Sequence, residues 1–190
     1  MSKRLHILGA SGSGTTTLGS ALAECLGCPH LDTDDYFWLP TDPPFQQVRS
    51  RTERQALLGA DLARHGGWVL SGSLCGWGDI FMPMFEVVVF LWVPPHIRLA
   101  RLQKREQQRY GDNALAPGGP LHTPYTAFMA WAAAYESGDM QMRSRRRHEQ
   151  WLRELPCPVL RLEGEQQVEE CRARVIQYVS TLLRPACGVP

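Results

Sequence analysis

Three features of the 190-residue sequence predict an α/β fold built on a mainly parallel sheet. Short apolar segments at 4–8, 29–31, 68–70, 87–93 and 159–162 alternate with amphipathic helical patterns at 16–26, 49–64, 97–108 and 166–183. Several of these apolar segments lack polar alternation, as strands do when helices cover both faces of their sheet. A glycine-rich stretch, Gly9 to Thr16, joins the first strand to the first helix.

The elements follow in order from local signals. Leu18, Leu22 and Leu26 recur at four-residue spacing, and the pattern stops at Gly27 with Pro29 just beyond. Pro40 to Phe45 holds three prolines and leads into the second helical pattern, where Leu57, Leu58 and Leu62 precede the stop Gly66-Gly67. Gly111 to Pro124 is rich in glycine and proline and reads as a loop tip of the size that forms lids.

Chain length fits a single domain over residues 1–190, and 44% hydrophobic content supports a core. A formal net charge of +1 gives no reason to expect a nucleic-acid or membrane partner. The longest apolar run, 87–95, is too short to span a bilayer, and the N-terminal run is too short for an export signal. The expected compartment is therefore the cytoplasm, where six cysteines stay reduced. Cys25 and Cys28 form a solitary C-x-x-C, and Cys25 is expected to pack as a small apolar residue near a helix end.

Gly9-Ala-Ser-Gly-Ser-Gly14-Thr15-Thr16 follows the template G-x-x-x-x-G-K-[ST], with Thr15 in the lysine position. Glycines let the backbone curl so that successive N–H groups converge on phosphate oxygens, and the helix N-terminus adds partial positive charge. Gly9, Ser11, Gly12, Ser13, Gly14, Thr15, Thr16 and Thr17 are the expected nucleotide-binding residues. The Thr16 hydroxyl suits a magnesium ion carried with ATP. Threonine at position 15 removes the charge that normally follows a transferred phosphoryl group, so another cation must supply it or catalysis is weak.

Asp32, Asp34 and Asp35 cluster at the end of the second strand. Three carboxylates there suggest a magnesium shell or a base facing an acceptor hydroxyl, with Asp32 the metal candidate and Asp34 the acceptor candidate. The third strand ends Ser71-Gly72-Ser73, without an acid, which places Gly72 and Ser73 on the acceptor side. Arg49, Arg51 and Arg54 open the second helix, and Arg49 and Arg54 are candidates for phosphate or carboxylate recognition. Arg98, Arg101, Arg105 and Arg109 form one basic stripe, followed past the lid by Arg143, Arg145, Arg146 and Arg147. Closing over a triphosphate, Arg101, Arg105 and Arg143 are the candidate replacements for the missing lysine.

With these motifs the chain resembles the adenylate kinase-like, or nucleoside monophosphate kinase-like, P-loop kinases over nearly its whole length. The resemblance implies a three-layer P-loop NTPase fold with a five-stranded parallel sheet in the order 2-3-1-4-5. It also implies an acceptor-binding section at about 40–66 and a lid at about 109–124. The turn at Leu162-Glu163-Gly164 resembles the adenine contact of that family, which makes Gly164 a nucleotide-binding candidate. Asp32-Thr33-Asp34 is closer to shikimate and gluconate kinases, and Asp34-Asp35-Tyr36-Phe37 is similar to nucleoside and nicotinamide riboside kinases.

The expected activity is transfer of the ATP γ-phosphoryl group, with Mg2+, to a small-molecule acceptor, first among them a nucleoside monophosphate. A small hydroxyl acceptor is the alternative within that class. A nucleotide-binding sensor or scaffold with little catalysis is the alternative outside it.

Overall fold

A computed structural model of the chain describes residues 3–182. Five strands form one sheet: β1 (Arg4–Gly9), β2 (His30–Asp32), β3 (Trp68–Ser71), β4 (Val87–Trp92) and β5 (Val159–Glu163). Their spatial order is β2-β3-β1-β4-β5, and every neighbouring pair is parallel. Register pairs Leu5 with Val69 on one side of β1 and with Val87 on the other. The helices are α1 (Thr15–Leu26), α2 (Thr33–Phe37), α3 (Arg51–Arg64), α4 (Pro95–Tyr110), α5 (Asp112–Leu115), α6 (His122–Ala133), α7 (Arg145–Arg153) and α8 (Val168–Leu182).

Both faces of the sheet are covered, which explains the unbroken apolar strands. On one face Leu5, Ile7, Val87 and Val89 pack against Leu18 and Leu22 of α1 and Val175 and Val179 of α8. On the other, Trp68, Leu70, Val88 and Phe90 meet Leu58 and Leu62 of α3 and Trp151 and Leu152 of α7. Each fully buried leucine contributes about 1.5–3 kcal/mol relative to exposure, so the sheet is held from both sides. β1 lies centrally, with β3 and β4 leaving it in opposite directions, and this switch point opens a crevice at the strands' carboxyl ends.

Several elements depart from expectation. The second helical pattern begins at Arg51 rather than 49, because Ser50 caps it. The Ser50 hydroxyl accepts from Glu53 N at 3.3 Å, and the Glu53 carboxylate accepts from Ser50 N at 3.2 Å. The stretch 111–124 is not a bare loop, since α5 and the start of α6 lie within it. Pro124 sits in the first turn of α6, where its missing N–H costs nothing. A further helix, α7, follows Ser144, whose hydroxyl accepts from Arg147 N at 3.1 Å. Cys25 is exposed rather than packed, since Leu22 and Ala23 take the inner face of α1. Leu183, the last residue of the fourth helical pattern, and Cys187 lie outside the described residues.

Candidate functional site

The glycine-rich loop leaves β1 at Gly9 and enters α1 at Thr15. Gly14 precedes α1 at φ 95°, a left-handed conformation that side chains resist. Gly12, at φ 81°, lies so close to α4 that an added Cβ would stand 2.6 Å from the Arg98 carbonyl. Arg98 is itself fully buried, and its guanidinium donates to Ser11 O at 3.1 Å and Val93 O at 3.2 Å. It therefore departs from the stripe expected of it. Instead of reaching for phosphate, it ties the loop backbone to the first turn of α4, with Glu136 3.8 Å away across it. Ser13 is folded inward, and its buried hydroxyl has no hydrogen-bond partner among the described residues. Thr15 and Thr17 line the cleft.

A hydrogen-bonded chain runs from the loop into the sheet edge. Thr16 Oγ1 donates to Asp32 Oδ2 at 2.7 Å, and Ser71 Oγ donates to the same oxygen at 3.2 Å. Ser71 has spent its only proton, so His30 Nε2, 2.9 Å from Ser71 Oγ, is the donor of that contact. Asp32 Oδ1 meanwhile accepts from Asp34 N at 3.0 Å and caps α2. Position 71 therefore holds a hydroxyl where an acid was sought, and Asp32 on the neighbouring strand supplies the acid beside Thr16. These hard oxygens fit a magnesium ion. The three aspartates do not form a metal shell: among the described residues no group of three or more His, Cys, Asp or Glu is placed to hold an ion.

Asp34 touches solvent inside the cleft yet is crowded by protein. Burial, then the Asp32 charge, raise its pKa above the ordinary carboxylate value, against the opposing pull of Arg143 and Arg105. Burial and Asp32 also raise the pKa of Asp35, which His30 partly offsets.

The cleft is a cavity of about 1120 Å³ whose lining includes Gly9, Ser11, Gly12, Gly14, Thr16, Asp32, Asp34, Gly72, Ser73, Arg101, Arg105 and Arg143. Arg101 is 3.4 Å from Glu165, and Arg105 and Arg109 share Glu106 at 3.1 and 3.3 Å. Arg143 pairs with no carboxylate among the described residues and lies over the Trp131 ring. The chain's two lysines, Lys3 and Lys104, are both absent from the lining.

Other candidates fall elsewhere. Arg49 spends its guanidinium on Tyr36 O and Trp38 O, Arg54 lies over the Phe37 and Trp77 rings, and neither lines the cavity. Gly164 donates its N–H to Trp92 O at 3.0 Å and also lies off the lining. Beyond α6, Arg145 binds Glu136 at 3.4 Å over Trp92, and Arg147 reaches Gln141 O at 3.5 Å. Neither Arg145, Arg146 nor Arg147 enters the cavity.

One polar group had no sequence signal. Ser73 Oγ is 3.1 Å from Nε2 of the fully buried His148, whose Nδ1 is 2.9 Å from the Tyr135 hydroxyl. Burial and then Arg143 lower the His148 pKa to about 3, so the imidazole is neutral, with one nitrogen a donor and the other an acceptor, Nε2 meeting Ser73 and Nδ1 meeting Tyr135.

A family model described as AAA domain matches residues 6–115. Uncharacterized protein YqaC of Bacillus subtilis is 48% identical over 181 residues, covering 95% of this chain and 99% of that protein. Shikimate kinase 2 of Syntrophotalea carbinolica is 32% identical over 116 residues, 54% of this chain and 65% of that enzyme. Among solved structures, the shikimate kinase from Acinetobacter baumannii in complex with shikimate has a similar fold. Its TM-score is 0.61 at 17% identity, with 97% of each chain covered. The expected three-layer fold and strand order are those of the structure.

Proposed function

The chain belongs to the AAA domain family, and from that premise we propose that it is an ATP-dependent kinase acting on the hydroxyl of a small molecule. The observation that carries this reading is Asp34, a carboxylate of raised pKa that lines the same cavity as Arg105 and Arg143. A base there serves a hydroxyl acceptor, whereas a phosphate acceptor arrives already ionised and needs none. The partial likeness to shikimate kinase 2, a kinase by its name, supports the same class. A nucleoside monophosphate acceptor is the second reading, favoured by Arg105 and Arg109 on the lining.

In the proposed step the loop from Gly9 to Thr16 holds the donor phosphates by backbone N–H groups and the α1 N-terminus. Asp34 takes the proton of the acceptor hydroxyl as its oxygen bonds to the γ-phosphorus. The bond from that phosphorus to the β–γ bridging oxygen breaks, ADP leaves with the electron pair, and Asp34 later releases its proton to water. Thr16 and Asp32 would hold a magnesium ion that neutralises charge on the β- and γ-phosphates. Arg143, the lining arginine without a carboxylate partner, takes the role the loop lysine has elsewhere, with Arg101 and Arg105 beside it. Residues 40–66 form the acceptor section, α5 and the start of α6 belong to the lid of 109–124, and the cytoplasm supplies the ATP.

The reading is tested with purified chain, ATP and magnesium against hydroxyl compounds and nucleoside monophosphates, following ADP release. Arg143→Ala should lower kcat by about 10²–10³-fold, while Thr15→Lys should change it less than about tenfold because the charge is already supplied. A hundredfold gain in Thr15→Lys, or no turnover of any acceptor, favours instead a nucleotide-binding sensor with little catalysis.

A further inference from the structure

The segment after β3 is fastened to α7 along its length. Ser73 Oγ lies 3.1 Å from Nε2 of His148, the Arg147 guanidinium covers Gly76, and Trp151 Nε1 donates to Asp79 Oδ1 at 2.8 Å. Trp77 Nε1 donates to Ser73 O at 3.1 Å, so the Ser73 backbone is held as well. From His148 the contact continues to the Tyr135 hydroxyl, 2.9 Å from Nδ1, and the Arg98 guanidinium lies over the Tyr135 ring. Of Ser73, His148 and Tyr135, only Ser73 lines the cavity.

Ser73, neutral His148 and Tyr135 carry three polar protons for two contacts, so one proton is left over. Because a neutral imidazole donates from one nitrogen and accepts at the other, the chain has two possible directions. Running from Ser73 to Tyr135, it leaves the extra proton on the phenol. Tyr135 is 3% exposed, and its hydroxyl has no other hydrogen-bond partner among the described residues. Burial and then the Glu136 charge raise its pKa, so the phenol keeps its proton. A buried donor without an acceptor costs more than an ordinary hydrogen bond contributes, which disfavours this direction. Running from Tyr135 to Ser73, the phenol donates to Nδ1, Nε2–H donates to Ser73 Oγ, and the extra proton is on Ser73 at the cavity. The neighbouring Cys75 thiol, whose pKa burial raises to about 11 against a contact with Ser73, is neutral and a weak rival for that proton.

We propose that His148 and Tyr135 are positioning residues for the acceptor: Tyr135 fixes His148 as the Nε2–H tautomer, and His148 thereby turns the Ser73 hydroxyl into a donor to an oxygen of the bound acceptor. This rests on the reading of the cavity as a kinase site. Neither His148 nor Tyr135 lines the cavity, so both act through Ser73.

The test has two arms on the full chain. In the first, long-range proton–nitrogen NMR of nitrogen-labelled protein at pH 7 reads which His148 nitrogen carries the proton, with His148→Gln assigning the signal. Nε2–H is expected, and Nδ1–H overturns the proposal. In the second, phosphotransfer from ATP with magnesium is followed to whichever of shikimate, gluconate, uridine and uridine monophosphate turns over. Ser73→Ala and His148→Leu should each raise the acceptor KM about five- to tenfold, with kcat and the KM for ATP within about twofold. His148→Gln keeps an N–H donor for Ser73 and should recover most of that loss. A packing fault in α7 would instead displace Arg143, which directly precedes the cap Ser144, and lower kcat. An acceptor KM that His148→Leu leaves unchanged, or that His148→Gln fails to recover, overturns the proposal. Should His148→Leu fail to fold by circular dichroism, Tyr135→Phe keeps the ring beneath Arg98 and removes only the proton given to Nδ1. Its NMR signature should become a mixture of both tautomers, and a pure Nε2–H signal there overturns the role of Tyr135. Turnover alongside Nδ1–H sinks the relay and leaves the kinase reading standing. Nε2–H without turnover of any of these acceptors does the reverse.

Discussion

Burial and the Asp32 carboxylate disfavour the charge of Asp34, and Arg143 and Arg105 offset them only in part. A base must be ionised to work, so kcat/KM should fall as pH drops through its raised pKa, with the inflection above the ordinary aspartate value of about 4. The folded state binds this proton more tightly than the unfolded chain does. Ionised Asp34 therefore withdraws stability above its folded pKa, and none is withdrawn at pH low enough to protonate it in both states. Asp34→Asn should consequently lower kcat by about 10²–10⁴-fold while raising the urea midpoint at pH 7. A loss of both activity and stability would show that the carboxylate is a structural partner instead. Asp32 and Asp34 were readable because the end of a strand is a known address for ligands. Arg49 and Arg54 were not, since residue type does not say which way a side chain leaves its helix. His148 was invisible for another reason: its partner Ser73 is 75 positions away in the chain.

At the scale of elements, the strands and the leucine-striped helices were legible because period and burial coincide in them. The Ser50–Glu53 pair, a serine three residues before a glutamate, also marks a helix start, but a pattern read from position 49 overlooks it, and the pair resets the start of α3. Ser50→Ala should cost about 1 kcal/mol in denaturant unfolding without changing the Kd for ATP. α6 escaped because His122–Ala133 is apolar around much of its circumference, so no stripe marks a face. α7 is short and charged, and its buried set of His148, Trp151 and Leu152 includes a histidine that no hydrophobic pattern counts. The tether between α4 and the phosphate loop is the least obvious feature, an arginine in a basic stripe that points into the protein. Arg98→Met should raise the Kd for ATP about tenfold, the two backbone carbonyls losing a charged donor, with kcat affected less. An unchanged Kd would mean that the loop holds its shape without help from α4. No described helix is long and apolar enough to cross a membrane.

For the whole molecule, two histidines are sealed into the fold in the neutral state. Burial lowers the pKa of His6 to about 3 and, with Arg143, that of His148 to about 3, while both take up a proton near 6.5 once unfolded. The unfolded chain thus binds more protons below 6.5, and stability is lost as pH falls from there toward 3. With both groups titrating, the unfolding free energy should drop by about 2.7 kcal/mol per pH unit between roughly pH 5.5 and 4. Urea unfolding across that range checks the slope, and His148→Gln should halve its histidine component. The α/β class was legible because alternation of strand and helix leaves few topologies open, and the strand order followed from the family resemblance, whereas the cavity's shape depends on contacts between distant segments. Among these, Arg109 lies over Phe45 and the Tyr110 hydroxyl donates to Pro44 O at 3.4 Å, clasping the segment after α2 to the end of α4. Contacts of this kind at a partly exposed site hold with only about 0.5–1 kcal/mol each. A clasp this weak adds little to the retention of a molecule in the cavity, so how long a guest stays should depend on the contacts the guest itself makes.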